Sequence, residues 1–474
     1  MTEPTAQPSS VPEPSSSGAS PAEEPKRYRL DRLGAAFTIG EGLLLLIAAA
    51  SAVGIIRNDD PGVRVLGVIN MVVTGIAMFA AVVAAAIVIM VSISGRSPRA
   101  RFLTWAIGGA LVFAIPATLF VLVTLLQAGL AWQGTLLSIP TTVFALLTFR
   151  RMQRNRKPPW LLVLVAFAWG VLVAGYFSQI VEGVLHVVIT VEVLPGTAAI
   201  IAHAAAAAVP EELVKGAGVV VIVLLAWRRI DGMLGGIVIG ACVGLGFQFV
   251  ESMTYMTSGF DTVLYQHWYR QVTGLLVGHA TYTGIIGAGV GLAMQLTDWR
   301  KRVVCAGGGF AFAVAAHLVW DIFAMGRLYW ESDNSLLQLF VVQPLNLIVL
   351  KGPAFAVLLL LVVIALRLET RALYRHLRAE ADSRHGAVTP AEVPVLVNAS
   401  LRFRARVQAL WRGNHRDYLR LHRLHAAQVD LVFARWRREQ GDPPSPETEE
   451  SLRHRIQQLK AETVPPGAVV VDPH

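Results

Sequence analysis

The amino-acid sequence predicts an all-α polytopic membrane protein with about ten transmembrane helices and both termini in the cytoplasm. Two features of the composition predict this class. Of the 474 residues, 54% are apolar and only 15% are charged, whereas a soluble domain carries about 25% charged residues. The mean hydropathy is +0.54. The third observation is a series of apolar runs, most of them long enough to cross a bilayer.

Ten apolar segments are candidates for membrane-spanning helices. They cover residues 34–56, 65–94, 102–126, 135–149, 160–180, 197–226, 233–255, 272–296, 303–326 and 338–366. The loops after even-numbered segments are basic, as in SGRSPRAR, RRMQRNRK and DWRKR, while the intervening loops carry little net positive charge. Because basic loops stay in the cytoplasm, both termini are predicted to be cytoplasmic.

The chain divides by composition into four parts. Residues 1–33 are rich in Pro, Ser, Ala and Glu, end in a basic flank, and are predicted to be disordered. Residues 34–180 hold the first transmembrane helices, 181–366 form a transmembrane core, and 367–474 are a cytoplasmic tail. Within the tail, residues 415–439 have the apolar spacing of an amphipathic helix. The basic tail fits contact with anionic lipid, but a solvated tail that obeys the positive-inside rule is the simpler interpretation. No nucleic-acid partner is expected.

Ionisable residues lie inside four consecutive apolar segments. A charge near the bilayer centre costs at least about 2.5–3.5 kcal/mol on insertion scales, so such residues usually have a function. They are Glu211, Glu212 and Lys215 in the sixth segment, Glu251 in the seventh with Phe247 one turn before it, His279 in the eighth, and His317 and Asp321 in the ninth.

The acids and imidazoles fall at a common depth. Counted from the predicted cytoplasmic ends of their segments, at residues 226, 233, 296 and 303, they lie 14 to 18 residues into the membrane. At about 1.5 Å per residue, they form one layer about 21–27 Å from the cytoplasmic face. We therefore predict one polar site in the outer half of the membrane. Separate helix-packing roles, the usual explanation for a lone transmembrane histidine, would not produce a common depth.

Four residues form a candidate metal site. His317 and Asp321 are four apart and share a helix face, so they can bind one ion together. Imidazole nitrogen and carboxylate oxygen are zinc ligands, and catalytic zinc sites usually use three protein ligands and leave a position for water. Glu251 and His279 bring the candidate set to four, so one member can orient an imidazole instead.

The adjacent Glu211 and Glu212 are the candidate general base. A buried carboxylate can take a proton from water and return it to a leaving amine. The two side chains project about 100° apart on a helix. We therefore expect one of them to face the site and the other to meet Lys215, which lies within one turn of both, or a neighbouring helix.

Lys351, in LNLIVLKGPAF, is a further cation inside the tenth segment. Two interpretations are open. Lys351 either pairs with an acid of the site or lines a substrate path, or it lies in a re-entrant turn, which the following Gly-Pro favours.

The motifs EELVK (211–215), FQFVE (247–251), GH (278–279) and HLVWD (317–321) stand in this order on four consecutive segments. Together they resemble the PrsW family of intramembrane proteases, which is grouped with CAAX-processing and bacteriocin-processing membrane peptidases. The resemblance covers about residues 197–326. CAAX-type relatives favour Arg, His and Asn where this chain has Lys215, Glu251 and Asp321, so farnesyl-cysteine substrates are not expected.

The resemblance implies an activity, a cofactor and a location. Glu211 and Glu212 would activate the hydrolytic water, and Glu251, His279, His317 and Asp321 would bind a metal, expected to be zinc, or line the site. Lys215 and Phe247, in the same motifs, would support them. Lys351 lies outside the resemblance and is a further supporting candidate because of its charge. The substrate would be a membrane-anchored, anti-sigma-factor-like protein, cut near the outer face of the bacterial cell membrane.

Two other function classes use the same residue types. In a transporter, intramembrane Glu, His and Asp carry protons or cations, but the chain shows no convincing internal repeat of the kind common in transporters. A non-catalytic membrane scaffold would not need all four motifs. Intramembrane proteolysis is therefore the leading hypothesis.

Overall fold

The residues described by the computed structural model are helical and contain no β-strand, which confirms the all-α class. All of them lie in the unit Ala117–His474. They are residues 121–122, 124–191, 196–257, 262–383, 385–439 and 448–463.

Twelve of the described helices precede the tail. In chain order they are α1 (Thr124–Leu130), α2 (Trp132–Met152), α3 (Trp160–Ala168), α4 (Gly175–Val191), α5 (Thr197–Leu225), α6 (Gly232–Thr257), α7 (Val263–His267), α8 (His279–Met294), α9 (Trp299–Met325), α10 (Ser335–Leu337), α11 (Gln343–Leu350) and α12 (Gly352–Asp382). Three π-helical turns extend them. Trp169–Ala174 joins α3 to α4, Trp268–Thr273 follows α7, and Gln338–Val342 joins α10 to α11.

Four of the described helical stretches are long and apolar enough to cross a membrane: Trp160–Gln179, α6, α9 and α12. Helices α1 and α2 give a fifth if they are one span, bent by 107° between them. The predicted segments 34–56 and 65–94, and most of 102–126, lie outside the described residues. The total of ten spans and the cytoplasmic position of both termini therefore stay predictions.

Two predicted segments have different boundaries in the structure. The segment predicted at 160–180 continues as helix to Val191, through the π-helical turn after α3. The segment predicted at 272–296 becomes an α-helix only at His279, after a turn bounded by Gly274 and Gly278. His279 is therefore the first residue of α8, and its side chain lies at a helix terminus.

The segment predicted at 338–366 is interrupted. Helix α11 ends at Leu350 and α12 begins at Gly352, with Lys351 at the junction. The second residue of α12 is Pro353. Proline suits a helix start, because the N–H that it lacks has no intrahelical acceptor there.

Glycines bring α6 and α8 into backbone contact at three successive turns. A methyl group on any of three α6 glycines would overlap a backbone carbonyl oxygen of α8. The added carbon would lie 2.0 Å from the Gly287 oxygen at Gly236, 2.1 Å from the Thr283 oxygen at Gly240, and 2.2 Å from the His279 oxygen at Gly244. Small residues permit this approach in membrane helices, and here it fixes the start of α8 against α6.

Gly240→Ala is expected to destabilise the protein by about 1–3 kcal/mol, because the added methyl group overlaps the Thr283 carbonyl and forces α6 and α8 apart. The measurement is thermal unfolding in detergent. Gly307→Ala in α9 is the matched control, since nothing lies within 4 Å of its added methyl group. Equal unfolding temperatures for the two variants would contradict the backbone contact.

The described part of the tail contains four helices that pack onto the end of α12. They are α13 (Val393–Val397), α14 (Ala399–Arg412), α15 (His415–Glu439) and α16 (Glu449–Thr463). Helix α15 has the bounds of the predicted amphipathic helix. Arg453 of α16 forms a two-pronged ion pair with the buried Glu380 of α12. Arg156, between α2 and α3, bridges Asp231, just before α6, and Asp430 of α15.

Candidate active site

The buried ammonium of Lys215 is the centre of a polar cluster between α5, α6 and α8. Its Nζ lies 3.1 Å from Glu211 Oε2, 2.7 Å from Glu212 Oε1 and 3.0 Å from His279 Nδ1. It also lies 4.1 Å from the centroid of the Phe247 ring, in cation–π contact. Lys215 is fully buried. The cation therefore compensates both carboxylates, where the sequence predicted that it would meet one.

Glu212 is the inner of the two carboxylates and is fully buried. Its Oε1 lies 3.0 Å from His317 Nδ1, and its Oε2 accepts a hydrogen bond from Thr283 Oγ1 at 3.4 Å. Together with the Lys215 contact, these bonds engage both carboxylate oxygens. A carboxylate at Nδ1 fixes the ring orientation of a histidine and leaves Nε2 available.

A cavity of about 860 Å³ adjoins this cluster. Its wall includes every acid and imidazole of the predicted site except Glu212. Those lining residues are Glu211, Glu251, His279, His317 and Asp321. The structure thus brings the predicted residues together from four helices. It also separates the adjacent glutamates, with Glu211 at the cavity wall and Glu212 behind it.

Two histidine–carboxylate pairs face this cavity. His279 Nε2 lies 2.7 Å from Glu251 Oε2, and His317 Nε2 lies 3.5 Å from Asp321 Oδ2. The ring centroids of the two histidines are 5.0 Å apart. Glu211 Oε2 lies 3.9 Å from His317 Nε2. Asp321 Oδ2 is buried and makes no hydrogen bond to the described residues.

Arg270 is the partner of Glu251 in the site, and it was not predicted from the sequence. It lies in the π-helical turn Trp268–Thr273 and forms an ion pair with Glu251. Its guanidinium also lies 4.1 Å from the centroid of the Tyr255 ring. The sequence carries this arginine among apolar and aromatic residues, in HWYRQVTG. It was missed because the predicted eighth segment began at residue 272, which left Arg270 in a loop.

Tyr282 and Lys351 lie on other walls of the cavity. The Tyr282 ring, also absent from the predicted site, stacks on His317 with centroids 5.1 Å apart. Lys351 lines the cavity at the break between α11 and α12, with its Nζ 3.8 Å from the centroid of the Trp320 ring. The helix is thus interrupted at Lys351 and the side chain reaches the cavity, while a substrate path and a re-entrant turn both stay predictions.

Four side chains are close enough to hold one metal ion. One potential ligand atom from each of Glu211, Glu212, His279 and His317 lies within 4.8 Å of the others. Lys215 Nζ, however, already contacts one ligand atom in each of three of them. Asp321 Oδ2 and His317 Nε2 lie 3.5 Å apart at the cavity, and Lys215 does not contact either atom within hydrogen-bond distance. These oxygen and nitrogen donors fit zinc.

The helices that carry this cluster, α5, α6, α8 and α9, lie within a stretch of sequence that matches a known family. Residues 158–350 match the PrsW family intramembrane metalloprotease. The match confirms the resemblance predicted from the four motifs and extends it beyond residues 197–326. No curated protein and no solved structure matches the chain. The matched region therefore contains the polar cluster and every lining residue of the cavity except Lys351, which follows its last residue. The tail lies outside it.

Proposed function

We propose that this protein is an intramembrane endopeptidase that cuts a membrane-anchored protein. One observation carries the proposal. Acids and imidazoles from four helices converge on a cavity large enough for several residues of a peptide, inside a region that matches the PrsW family intramembrane metalloprotease. A membrane-embedded hydrolase needs a polar cavity that can admit water, because peptide hydrolysis consumes one water molecule for each bond cut.

Glu211 is the proposed general base. Its carboxylate reaches the cavity wall, where it can take a proton from a water molecule and return it to the leaving amine. Lys215 holds this carboxylate in place at 3.1 Å. Glu212 has a positioning role, because its contact with His317 Nδ1 directs Nε2 of that ring toward Asp321.

His317 and Asp321 are the proposed core of a metal site, with His279 and Glu251 beside them, since the rings of the two histidines lie 5.0 Å apart. A divalent ion bound there would polarise the scissile carbonyl group and make a water molecule more acidic. Arg270 forms an ion pair with Glu251, whose Oε2 lies 2.7 Å from His279 Nε2. Lys351, at another wall, is a cation available to the substrate's carbonyl oxygen.

The proposed substrate is a single-span membrane protein that takes part in signalling, such as an anti-sigma factor. The proposed location is the bacterial cell membrane, with the cavity toward the outer face. The proposed orientation rests on the predicted topology, and the proposed substrate and membrane rest on the family resemblance. Cysteine labelling of intact cells tests the orientation, because residues 152 and 400 should be inaccessible from outside.

The test of the activity uses purified protein in lipid nanodiscs with a single-span fluorescent reporter. We expect two products with a defined cut site by mass spectrometry, loss of cleavage with a chelator, and recovery on adding zinc. The double variant Glu211→Gln/Glu212→Gln is the inactive reference. Cleavage by that variant at the unsubstituted rate would mean that the reporter is cut by a contaminant, and the proposal would then fail.

Replacing a member of the His317–Asp321 pair is expected to remove bound metal and activity together. His317→Gln and Asp321→Asn each take away one of two donors on the same helix face, so the remaining donor binds the ion only weakly. The measurement is metal content by mass spectrometry beside the cleavage rate.

Phe247→Leu is the control for these two variants, because it changes a wall of the same cavity without removing a donor atom. The control should keep the metal. A His317→Gln variant that retains a full metal content would contradict the assignment of His317.

A further inference from the structure

Helix α14 of the tail exposes an apolar stripe, which we define as Phe403, Val407, Leu410 and Trp411. Their spacing of four, three and one residues places them on one side of the helix. Phe403 is 57% exposed, Leu410 41% and Trp411 83%. This helix lies outside the membrane-spanning stretches. Exposed apolar surface of this kind, flanked by polar residues, marks a binding surface.

The opposite side of α14 is fixed to the edge of the membrane part. Arg402 is buried and bonds to the Arg154 carbonyl and the Asn155 side chain, in the connection between α2 and α3. Ser400 shares a helix side with the stripe, and it lines a small cavity with Leu366 of α12. Leu366 is the last residue of the tenth predicted apolar segment. Helix α14 therefore starts at the level where the hydrophobic helices end.

The surroundings of the stripe are strongly basic. Arginines at 404, 406 and 412 belong to the same helix. Burial, followed by the positive charges of Arg150, Arg151 and Arg406, lowers the pKa of Lys157 in the adjoining connection. A cluster of positive charges such as these arginines favours an anionic partner. Trp160 lies at the same edge, with the Arg150 guanidinium 4.6 Å from its ring centroid, and Trp residues are enriched at membrane interfaces.

We propose that the apolar stripe of α14 lies in the headgroup region of the protein's own membrane, with the neighbouring arginines on anionic lipid headgroups. Amphipathic helices with aromatic residues on one side and arginines beside them bind membranes in this way. The level of α14 at the membrane edge and its charge both favour lipid over a soluble protein partner. The tail then acts as an anchor parallel to the membrane surface, in addition to any transmembrane helices.

The test places a fluorescent probe on either side of α14 in the full-length protein. Phe403→Cys puts an environment-sensitive label in the stripe, and Gln408→Cys puts it on an exposed polar side about 140° away. Both variants carry Cys305→Ala, and Cys242 is fully buried and will not react. The protein is reconstituted in nanodiscs that contain phosphatidylcholine alone or with phosphatidylglycerol, with nitroxide-labelled lipid as the quencher.

We expect the label at 403 to emit at shorter wavelength and to be quenched at least about twofold more than the label at 408, with the larger difference in phosphatidylglycerol. A label at Trp411→Cys repeats the measurement if the first variant folds poorly. Arg404→Gln/Arg406→Gln, which removes the arginines on the two flanks of the stripe, should abolish the preference for phosphatidylglycerol. Equal quenching on the two sides in anionic nanodiscs would overturn the proposal and leave the stripe to a protein partner. An intact lipid preference in the double arginine variant would overturn the role of the charges.

Discussion

Glu211→Gln is expected to lower cleavage of the single-span reporter by about 10²–10⁴-fold, the usual contribution of a general base. The amide keeps the size of the side chain, but it cannot accept a proton from water. Because the proposed metal pair is on α9, bound metal should stay at the level of the unsubstituted protein. The measurements are the initial cleavage rate, the metal content and the unfolding temperature.

Glu182→Gln is the matched control for this variant. Glu182 is another carboxylate at the wall of the same cavity, contributed by α4. If Glu182→Gln lowers cleavage as much as Glu211→Gln does, the effect comes from a general loss of negative charge, and Glu211 is not a specific base. Full activity of Glu211→Gln would remove the hydrolytic mechanism, and proton-coupled transport would become the better explanation of the polar cluster.

Lys215→Met is expected to lower the free energy of unfolding by about 3–5 kcal/mol, the cost of breaking a buried ion pair by removing one partner. The ammonium is the buried cation nearest to both Glu211 and Glu212 among the described residues. Without it, two carboxylates stay buried side by side. Thermal unfolding in detergent measures the loss.

Two further variants identify the cause of that loss. Lys215→Arg retains the positive charge and should be much less destabilised than Lys215→Met. The double variant Glu212→Gln/Lys215→Met should be more stable than Lys215→Met alone, because it leaves one uncompensated carboxylate where the single variant leaves two. If the double variant is the less stable of the two, charge compensation by Lys215 is not the reason for the destabilisation.

The sequence could predict that the polar residues meet, because hydrophobic length fixes the depth of each residue in the membrane. The four-residue spacing also identified the pair of His317 and Asp321, in which Nε2 and Oδ2 lie 3.5 Å apart. The rotation of each helix about its axis could not be predicted from the sequence. This rotation determines that Glu211 reaches the cavity while Glu212 lies behind it.

Short irregular turns were the other unpredictable feature. Arg270 is in a π-helical turn, and Lys351 is at a helix break. Hydropathy averages over about twenty residues and cannot locate a turn of six. The apolar stripe of α14 was also not predicted, because its pattern is plain only once the packing of the tail shows which side of the helix is left uncovered.

The glycine contacts between α6 and α8 have a mechanical consequence. Helices that touch backbone to backbone at three successive turns have no side chains between them to yield, so they move as one body. Glu251 and His279, one on each helix, then keep their 2.7 Å contact however the cavity changes shape. Helix α9 touches α8 in the same way, since a methyl group on Gly289 would lie 2.4 Å from the Cys305 carbonyl oxygen. Any widening that admits a substrate is therefore expected in the other walls of the cavity, such as α4 with Glu182 and the break at Lys351. The acids and imidazoles then act as a fixed reference, and the walls around them adjust to what enters.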